Sequence, residues 1–193
     1  MNATNAAIPG VKECLNLMEQ YHMLPNIMEH SIVVARVAEV ITNSLIRAGK
    51  NQLSLEKVIA GSLLHDIGKT ACLNNDDDHA ARGFEICLSH NLEPIADIVA
   101  EHVILKNFTP ESGFTEKEIV YYADKRVNHN QVVSLEERLA YILERYGMNN
   151  KIRCLAIKKN YGLCRELEMR MFSLIAFEPH DIEEMLQKEH SVI

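Results

Sequence analysis

The sequence predicts an all-α domain of seven to nine helices. Apolar residues recur at steps of three and four along most of the chain, which is the periodicity of one buried helix face. Capping-box signals precede two of these segments, and no segment shows period-two alternation between hairpin turns. The length of 193 residues, with 47% hydrophobic and 24% charged residues, suits a single domain with a sizeable core.

The first long helix is predicted between Pro25 and Gly49, which suit a first turn and a helix end. Positions 33, 34, 37, 40, 41 and 45 form its apolar face. A second helix is predicted to begin at Ser54 and to end near Gly68, and Leu63 and Leu64 turn its last part towards the core.

Asp78 is predicted to cap a third helix over residues 79–90, and a fourth begins near Glu93 and Pro94. The fifth and sixth helices are predicted to begin at the segments Thr115–Glu118 and Ser134–Glu137, which have the form of capping boxes. Gly147 suits the end of the sixth helix. Two further helices are predicted to open at Asn150 and Pro179.

Charge and cysteine usage exclude several classes of protein. Lys and Arg total 20 against 27 Asp and Glu, a net charge of −7 without a dense basic run, so we expect no nucleic-acid polymer as partner. A small phosphate-bearing ligand in a local pocket is not excluded by that balance. The five cysteines contain no C-x-x-C pair and are interpreted as buried apolar residues in a reducing compartment. With neither a signal-peptide pattern nor an apolar run of about 18 residues, we expect a cytoplasmic protein that does not cross a membrane.

Imidazole and carboxylate side chains fall on successive predicted helices, each flanked by core-facing residues. The adjacent pair His65-Asp66 ends an apolar helix and is therefore carried into the core. Buried His and Asp need partners, and one ion that takes both is an economical partner. Four further groups of the same kind are His30, His79, His102 and Asp124.

At these residues the chain resembles the HD-domain metal-dependent phosphohydrolases. The order His30, His65-Asp66, Asp124 is similar to the H…HD…D signature of that family, and the segment HDIGK fits it. The likeness covers roughly residues 26–146, so we interpret 1–193 as a single domain with an HD-type core at about 26–146 and a C-terminal helical extension at 147–193. A GYP-type motif is missing from the sequence, which disfavours the cyclic-di-GMP phosphodiesterase branch.

The resemblance implies a metal site. The first ion would be held by His30, His65, Asp66 and Asp124, and Asp66 would bridge to a second ion bound by His79 and His102. Such ligands suit iron, manganese, nickel, cobalt or zinc. A mononuclear site remains the alternative, in which His79 and His102 would contact substrate or transfer protons.

The implied activity is hydrolysis of a small phosphate ester, a nucleotide or dinucleotide, by a metal-activated water, with Asp66 and Lys69 as catalytic residues. Candidates for binding the substrate phosphate are Lys69, Arg82 and Lys125, and a solvated surface charge is the alternative interpretation of each. A competing hypothesis is a regulatory module that binds metal or nucleotide without turnover. The last 45 residues are expected either to cover the pocket or to form a homodimer contact.

Overall fold

Nine α-helices make up most of the described chain, which confirms the predicted all-α class. The computed structural model describes residues 7–75, 77–109, 112–148, 150–188 and 191–193. The helices are α1 (Val11–Gln20), α2 (Pro25–Arg47), α3 (Leu55–Leu64), α4 (His79–Ser89), α5 (Glu93–Glu101), α6 (Glu116–Lys125), α7 (Leu135–Tyr146), α8 (Lys151–Phe172) and α9 (Ile182–Lys188). Two short 3₁₀ helices lie at Thr70–Cys72 and Pro179–Asp181.

The long helix α2 lies at the centre of the fold. It packs against α3, α6, α9 and a small hairpin. Its fully buried face contains Val34, Val37, Ile41 and Leu45, at the three- and four-residue steps expected for one helix face. His30 precedes Val34 by one turn, so the same periodicity carries this imidazole inside the protein, where it is buried.

Side chains begin five of the helices at the residues that the sequence predicted, including α8 at Asn150. The hydroxyl of Ser54 accepts from the backbone N–H of Lys57, and the carboxylate of Asp78 accepts from two N–H groups of α4. Reciprocal capping boxes begin α6 at Thr115 and α7 at Ser134. The second predicted helix is shorter than expected, because α3 ends at Leu64 and the chain continues through turns.

A two-stranded antiparallel hairpin was not predicted. Strands β1 (Val127–Asn128) and β2 (Gln131–Val132) have two residues each, too few to show an alternating pattern in the sequence. The turn between them contains His129, whose φ of 55° is in the left-handed region. Both strands contact α2, which places this turn beside His30.

The C-terminal helices pack onto the rest of the fold. Helix α8 contacts α6 and α7, and α9 contacts α2. Arg36 on α2 donates to the carbonyl oxygen of Leu186, and the buried carboxylate of Glu39 accepts from the hydroxyl of Ser191. None of the helices in the described part of the chain combines the length and apolar content needed to cross a bilayer.

Candidate metal centre

The carboxylate of Asp66 lies at the centre of a cluster of histidines. Its Oδ2 atom is 3.5 Å from Nε2 of His65, and its Oδ1 atom is 3.4 Å from Nε2 of both His79 and His102. Asp66 is 1% exposed and His65 is fully buried. Three imidazoles from different parts of the chain therefore meet one carboxylate inside the protein.

Asp124 lies on the other side of His65. Its Oδ1 atom is 3.1 Å from Nε2 of His30 and 3.7 Å from Nε2 of His65. All six side chains that the sequence singled out as ligands are thus linked through contacts at Asp66 or Asp124. The structure therefore brings the ligand atoms of all six side chains together in one cluster.

The turn after α3 brings Asp66 close to α4. A Cβ atom at Gly68 would lie 2.8 Å from the backbone nitrogen of Gly83 and nearer still to the carbonyl oxygen of His79. Only a residue without a side chain permits this approach of the turn to α4. The approach in turn brings His79, the first residue of α4, within reach of Asp66.

Backbone carbonyl groups fix the orientation of three of the imidazoles. The Nδ1 atom of His65 donates to Ser62 at 2.6 Å, that of His102 to Val99 at 2.7 Å and that of His30 to His129 at 2.9 Å. Because a carbonyl oxygen can only accept, Nδ1 must carry the proton in each ring. In the neutral imidazole, Nε2 then presents a lone pair towards the carboxylates.

The cluster contains more hydrogen-bond acceptor atoms than protons that could be donated to them. The Nε2 atom of His65 is buried without a hydrogen-bond partner among the described residues, although two carboxylates lie within 3.7 Å. Nε2 of His102 is an acceptor, because its ring proton lies on Nδ1, and Nε2 of His79 lies within hydrogen-bond distance of it at 3.2 Å. Lone pairs that converge in a buried space repel one another unless a cation lies between them.

The ligand atoms fall into two groups that share Asp66. Within each group the atoms lie within 4.8 Å of one another, and the groups are His30, His65 and Asp66, and Asp66, His79 and His102. This donor set of imidazole nitrogens and carboxylate oxygens fits one or two divalent transition-metal ions. The shared position of Asp66 matches the bridging role that the resemblance implied, and the assignment of each ligand stays a prediction.

The pKa values of the cluster reflect the two buried carboxylates and the burial of the imidazoles. Although burial opposes its ionisation, the imidazole of His65 and the ammonium of Lys69 hold the pKa of Asp66 well below its usual range. Burial lowers the pKa of His79 to about 4 and also lowers that of His102, so both rings are neutral at pH 7. His65 behaves differently, because Asp66 raises its pKa against the effect of burial. The carboxylates thus attract positive charge to His65, either a proton or a metal ion.

The three cations predicted to bind substrate phosphate have different positions. Lys69 is about one third exposed, lines the cavity beside the cluster and donates from Nζ to Oδ2 of Asp66 at 2.7 Å. Lys125 also lines the cavity but is buried, and its ammonium donates to the carbonyl of His102 and to Asp124. Arg82 does not line the cavity, because its side chain points to solvent and pairs with Glu85 at 2.9 Å.

Sequence reasoning missed Arg138. Its guanidinium lies 3.9 Å from Oδ1 of Asp124, donates to the side chain of Asn128 at 2.9 Å and lines the cavity. Its Nε atom is buried without a partner among the described residues. Arg138 follows the cap residue Ser134 by one helical turn, but nothing in the sequence near it indicates that α7 faces Asp124.

The cluster of six candidate metal ligands, which we call the metal cluster, opens into a cavity of about 760 Å³. Asp66, His79, His102 and Asp124 lie on one side, and residues of α7 and α8 form another wall, including Ile142, Tyr146, Ile157 and Tyr161. A volume of this size suits a small organic ligand. The C-terminal extension thus contributes to the pocket wall, one of the two roles expected for it.

Comparison with known proteins gives one family match. The family model for the HD domain matches residues 27–142, which include all six clustered side chains. No solved structure was found to match this chain.

Two kinds of curated relative share part of the sequence. A tRNA (cytidine(56)-2'-O)-methyltransferase from Picrophilus torridus is 27% identical over 158 residues, which cover 74% of this chain and 42% of the methyltransferase. Ribonuclease Y of Mycoplasma mycoides is 37% identical over 70 residues, 36% of this chain and 15% of the ribonuclease. Ribonuclease Y of Mycoplasma capricolum shows the same identity over 13% of its length. The chain thus spans less than half the length of these relatives.

Proposed function

This chain belongs to the HD domain family, a superfamily of metal-dependent phosphohydrolases, and we propose that it hydrolyses a small phosphate ester of the nucleotide type. The observation that carries the proposal is the convergence of imidazole Nε2 atoms on Asp66 and Asp124 at the end of a cavity. A purely structural cluster would pair these acceptors with protein donors. Here the Nε2 atom of His65 has none in the described part of the chain.

The residues that we assign to the metal are the two groups of ligand atoms together with Asp124, which lies 3.1 Å from His30 and 3.7 Å from His65. We assign a first ion to His30, His65, Asp66 and Asp124, and a second to Asp66, His79 and His102. When bound, divalent ions supply an activated water and neutralise the charge of a phosphoryl group. Three of the four imidazoles meet the requirement that such ligands be oriented through their other ring nitrogen.

Two cations beside the cluster are suited to hold the phosphoryl group in place. Lys69 is a point charge whose ammonium contacts Asp66 and reaches the cavity, and Asp66 raises its pKa despite burial. Arg138 offers a planar guanidinium near Asp124 with a free Nε donor, the geometry that binds phosphate oxygens in pairs. Both would orient the substrate, and Asp66 would contribute to the reaction by holding the metal.

The size and lining of the cavity support this substrate class. A volume of about 760 Å³ accommodates a nucleotide, and apolar side chains such as Ile142 and Tyr161 offer surface to a base or sugar. The scattered basic residues and the net charge of −7 argue against a long polyanion. We also propose a cytoplasmic location, and the five free thiols are consistent with a reducing compartment.

RNA is the competing substrate, and one specific observation favours it. The Mycoplasma relatives named Ribonuclease Y share 37% identity with a 70-residue part of this chain. An enzyme of that kind would cleave phosphodiester bonds, and its substrate would extend beyond the cavity.

Metal analysis followed by an ester panel tests the proposal. Elemental analysis of protein purified without chelator and under nitrogen should give about one or two transition-metal ions per chain. The metal-bearing protein is then offered p-nitrophenyl phosphate, bis(p-nitrophenyl) phosphate, nucleotides and a single-stranded RNA. The proposal is supported if the protein hydrolyses small esters and if a chelator abolishes this hydrolysis. Metal without turnover of any ester indicates a regulatory module, and selective cleavage of RNA indicates a ribonuclease.

A further inference from the structure

Two arginines at the mouth of the cavity have no carboxylate partner in the described part of the chain. Arg145 and Arg153 are exposed and line the cavity, yet neither forms an ion pair there. Among the described residues, Arg153 donates to the carbonyl oxygen of Tyr146 and to the sulfur of Met148, both at 3.4 Å. Arg145 lies against the ring of Tyr146, with 5.8 Å between the guanidinium carbon and the ring centroid.

Two arginines outside the cavity behave differently. Arg82 pairs with Glu85 at 2.9 Å, and Arg165 pairs with Glu136 at 3.1 Å. In a chain with a net charge of −7, two cations without carboxylate partners on one rim create a local positive potential. The carboxylate of Asp77 also lines the cavity and forms no ion pair with either arginine.

The two arginines lie at successive helix ends that border the cavity. Arg145 lies in the last turn of α7 and Arg153 in the first turn of α8, where the side chain of Asn150 caps the helix by accepting from the N–H of Arg153. A Cβ atom at Gly147 would lie 2.9 Å from Sγ of Cys154, so glycine permits this tight junction. Arg153 lies beyond residue 142, where the family match ends.

The cavity thus has cations in two places. Lys69 and Arg138 lie beside Asp66 and Asp124, whereas the exposed Arg145 and Arg153 lie at the mouth and pair with no carboxylate of the described residues. One phosphate group at the cluster would leave the mouth arginines without an anion. A ligand with a second phosphate group would satisfy both places and still fit in about 760 Å³.

We propose that Arg145 and Arg153 form a second phosphate subsite, so that the preferred ligand is a nucleotide with at least two phosphate groups. This inference rests on the proposed function, because it takes the first phosphate to lie at the metal cluster. The proposal gives Arg145 and Arg153 a role in specificity. It also implies that the ligand of this site is a small molecule and not an RNA strand.

Calorimetric titration of the full chain with ADP and with AMP tests the subsite. Wild-type protein should bind ADP about tenfold more tightly than AMP, since a phosphate–guanidinium contact adds a charge-assisted hydrogen bond. The double variant Arg145→Gln/Arg153→Gln should bring the two affinities within about twofold of each other. Arg165→Gln, which removes a half-buried arginine of α8 outside the cavity, should keep the wild-type ratio.

The titrations are repeated after dialysis against a chelator, which removes the metal. The preference for ADP over AMP should persist, because it is expected to come from the arginines. Equal affinities in the wild type, or a preference that survives in the double variant, would overturn the inference. So would an RNA oligonucleotide that binds more tightly than ADP through the same arginines. Turnover of bis(p-nitrophenyl) phosphate is measured separately, so that a failure of the proposed hydrolysis is distinguished from a failure of the subsite.

Discussion

The Nδ1 atom of His30 donates to the backbone carbonyl oxygen of His129, at 2.9 Å and across 99 positions of the chain. This bond leaves Nε2 of His30 facing Asp124 at 3.1 Å. His129 occupies the turn of the β1–β2 hairpin with a φ of 55°. The orientation of a candidate metal ligand on α2 therefore depends on the backbone conformation of a turn.

We expect His129→Val to weaken both folding and metal binding. A β-branched residue at this left-handed position costs about 1–2 kcal/mol of unfolding free energy. Loss of the carbonyl contact should lower metal affinity about tenfold, as for other partners that orient metal-bound imidazoles. Urea denaturation followed by circular dichroism gives the first quantity, and calorimetric metal titration gives the second.

His129→Gly is the matched control, because glycine adopts this backbone conformation freely and keeps the carbonyl oxygen. It loses only the contact of the imidazole with Tyr141, whose ring centroid is 5.4 Å away. Metal affinity close to that of the wild type is expected. Equal loss of affinity in the glycine and valine variants would assign the effect to the side chain and contradict the orienting role of the turn.

Asp66→Asn should remove metal binding while it preserves the fold. The amide has the shape of the carboxylate but lacks its charge, and Asp66 is shared by both groups of ligand atoms. We expect loss of both ions and a fall in activity of more than about 100-fold, beyond the effect typical of residues that only orient ligands. Metal analysis, phosphate-ester hydrolysis and circular dichroism are measured together. Asp97→Asn, at an exposed position on α5, is the control, and retention of metal by Asp66→Asn would contradict the assignment.

The helices and the ligand cluster could be predicted because their signals are local. Helix caps such as Ser54 and Asp78 act within one turn, and the apolar steps along α2 turn His30 inwards. His65 and Asp66 follow buried leucines directly, so their burial also follows from neighbouring residues. The family resemblance supplied the grouping of these residues, which periodicity alone does not give.

The features that the sequence did not predict depend on contacts between distant segments. Arg138 reaches Asp124 because α7 packs over the site, and the carbonyl of His129 reaches His30 through a hairpin of four paired residues. Arg82 does share α4 with His79, but a carboxylate one turn further on holds its side chain at the surface. Spacing along a helix therefore predicts which side chains share an element, while the partner that each one finds is set by tertiary packing.

Lys69→Gln should reduce turnover without loss of metal. The ammonium of Lys69 contacts Asp66 at 2.7 Å, and its side chain is 32% exposed, so the substitution leaves the buried ligands in place. We expect kcat/KM to fall about tenfold, the cost of one charge-assisted hydrogen bond to phosphate. Lys12→Gln on α1 is the control, since that position is exposed. If Lys69→Gln loses metal in proportion to activity, then Lys69 supports Asp66 and does not bind substrate.

His79→Ala distinguishes a site with two ions from a site with one. His79 lies 3.4 Å from Asp66 and 3.2 Å from His102, and no contact joins it to His30 or His65 in the described structure. Its side chain is 28% exposed, so truncation leaves the core packed. We expect metal content to fall from about two ions per chain to about one, and activity to fall with it.

The matched control for this variant is His90→Ala, which removes an imidazole bonded to the hydroxyl of Tyr21 and outside the metal cluster. It should keep the metal content of the wild type. Unchanged metal content in His79→Ala would contradict the second ion. His79 and His102 would then act on the substrate directly, and the ion at His30, His65 and Asp124 would have to activate water alone, as in the mononuclear alternative.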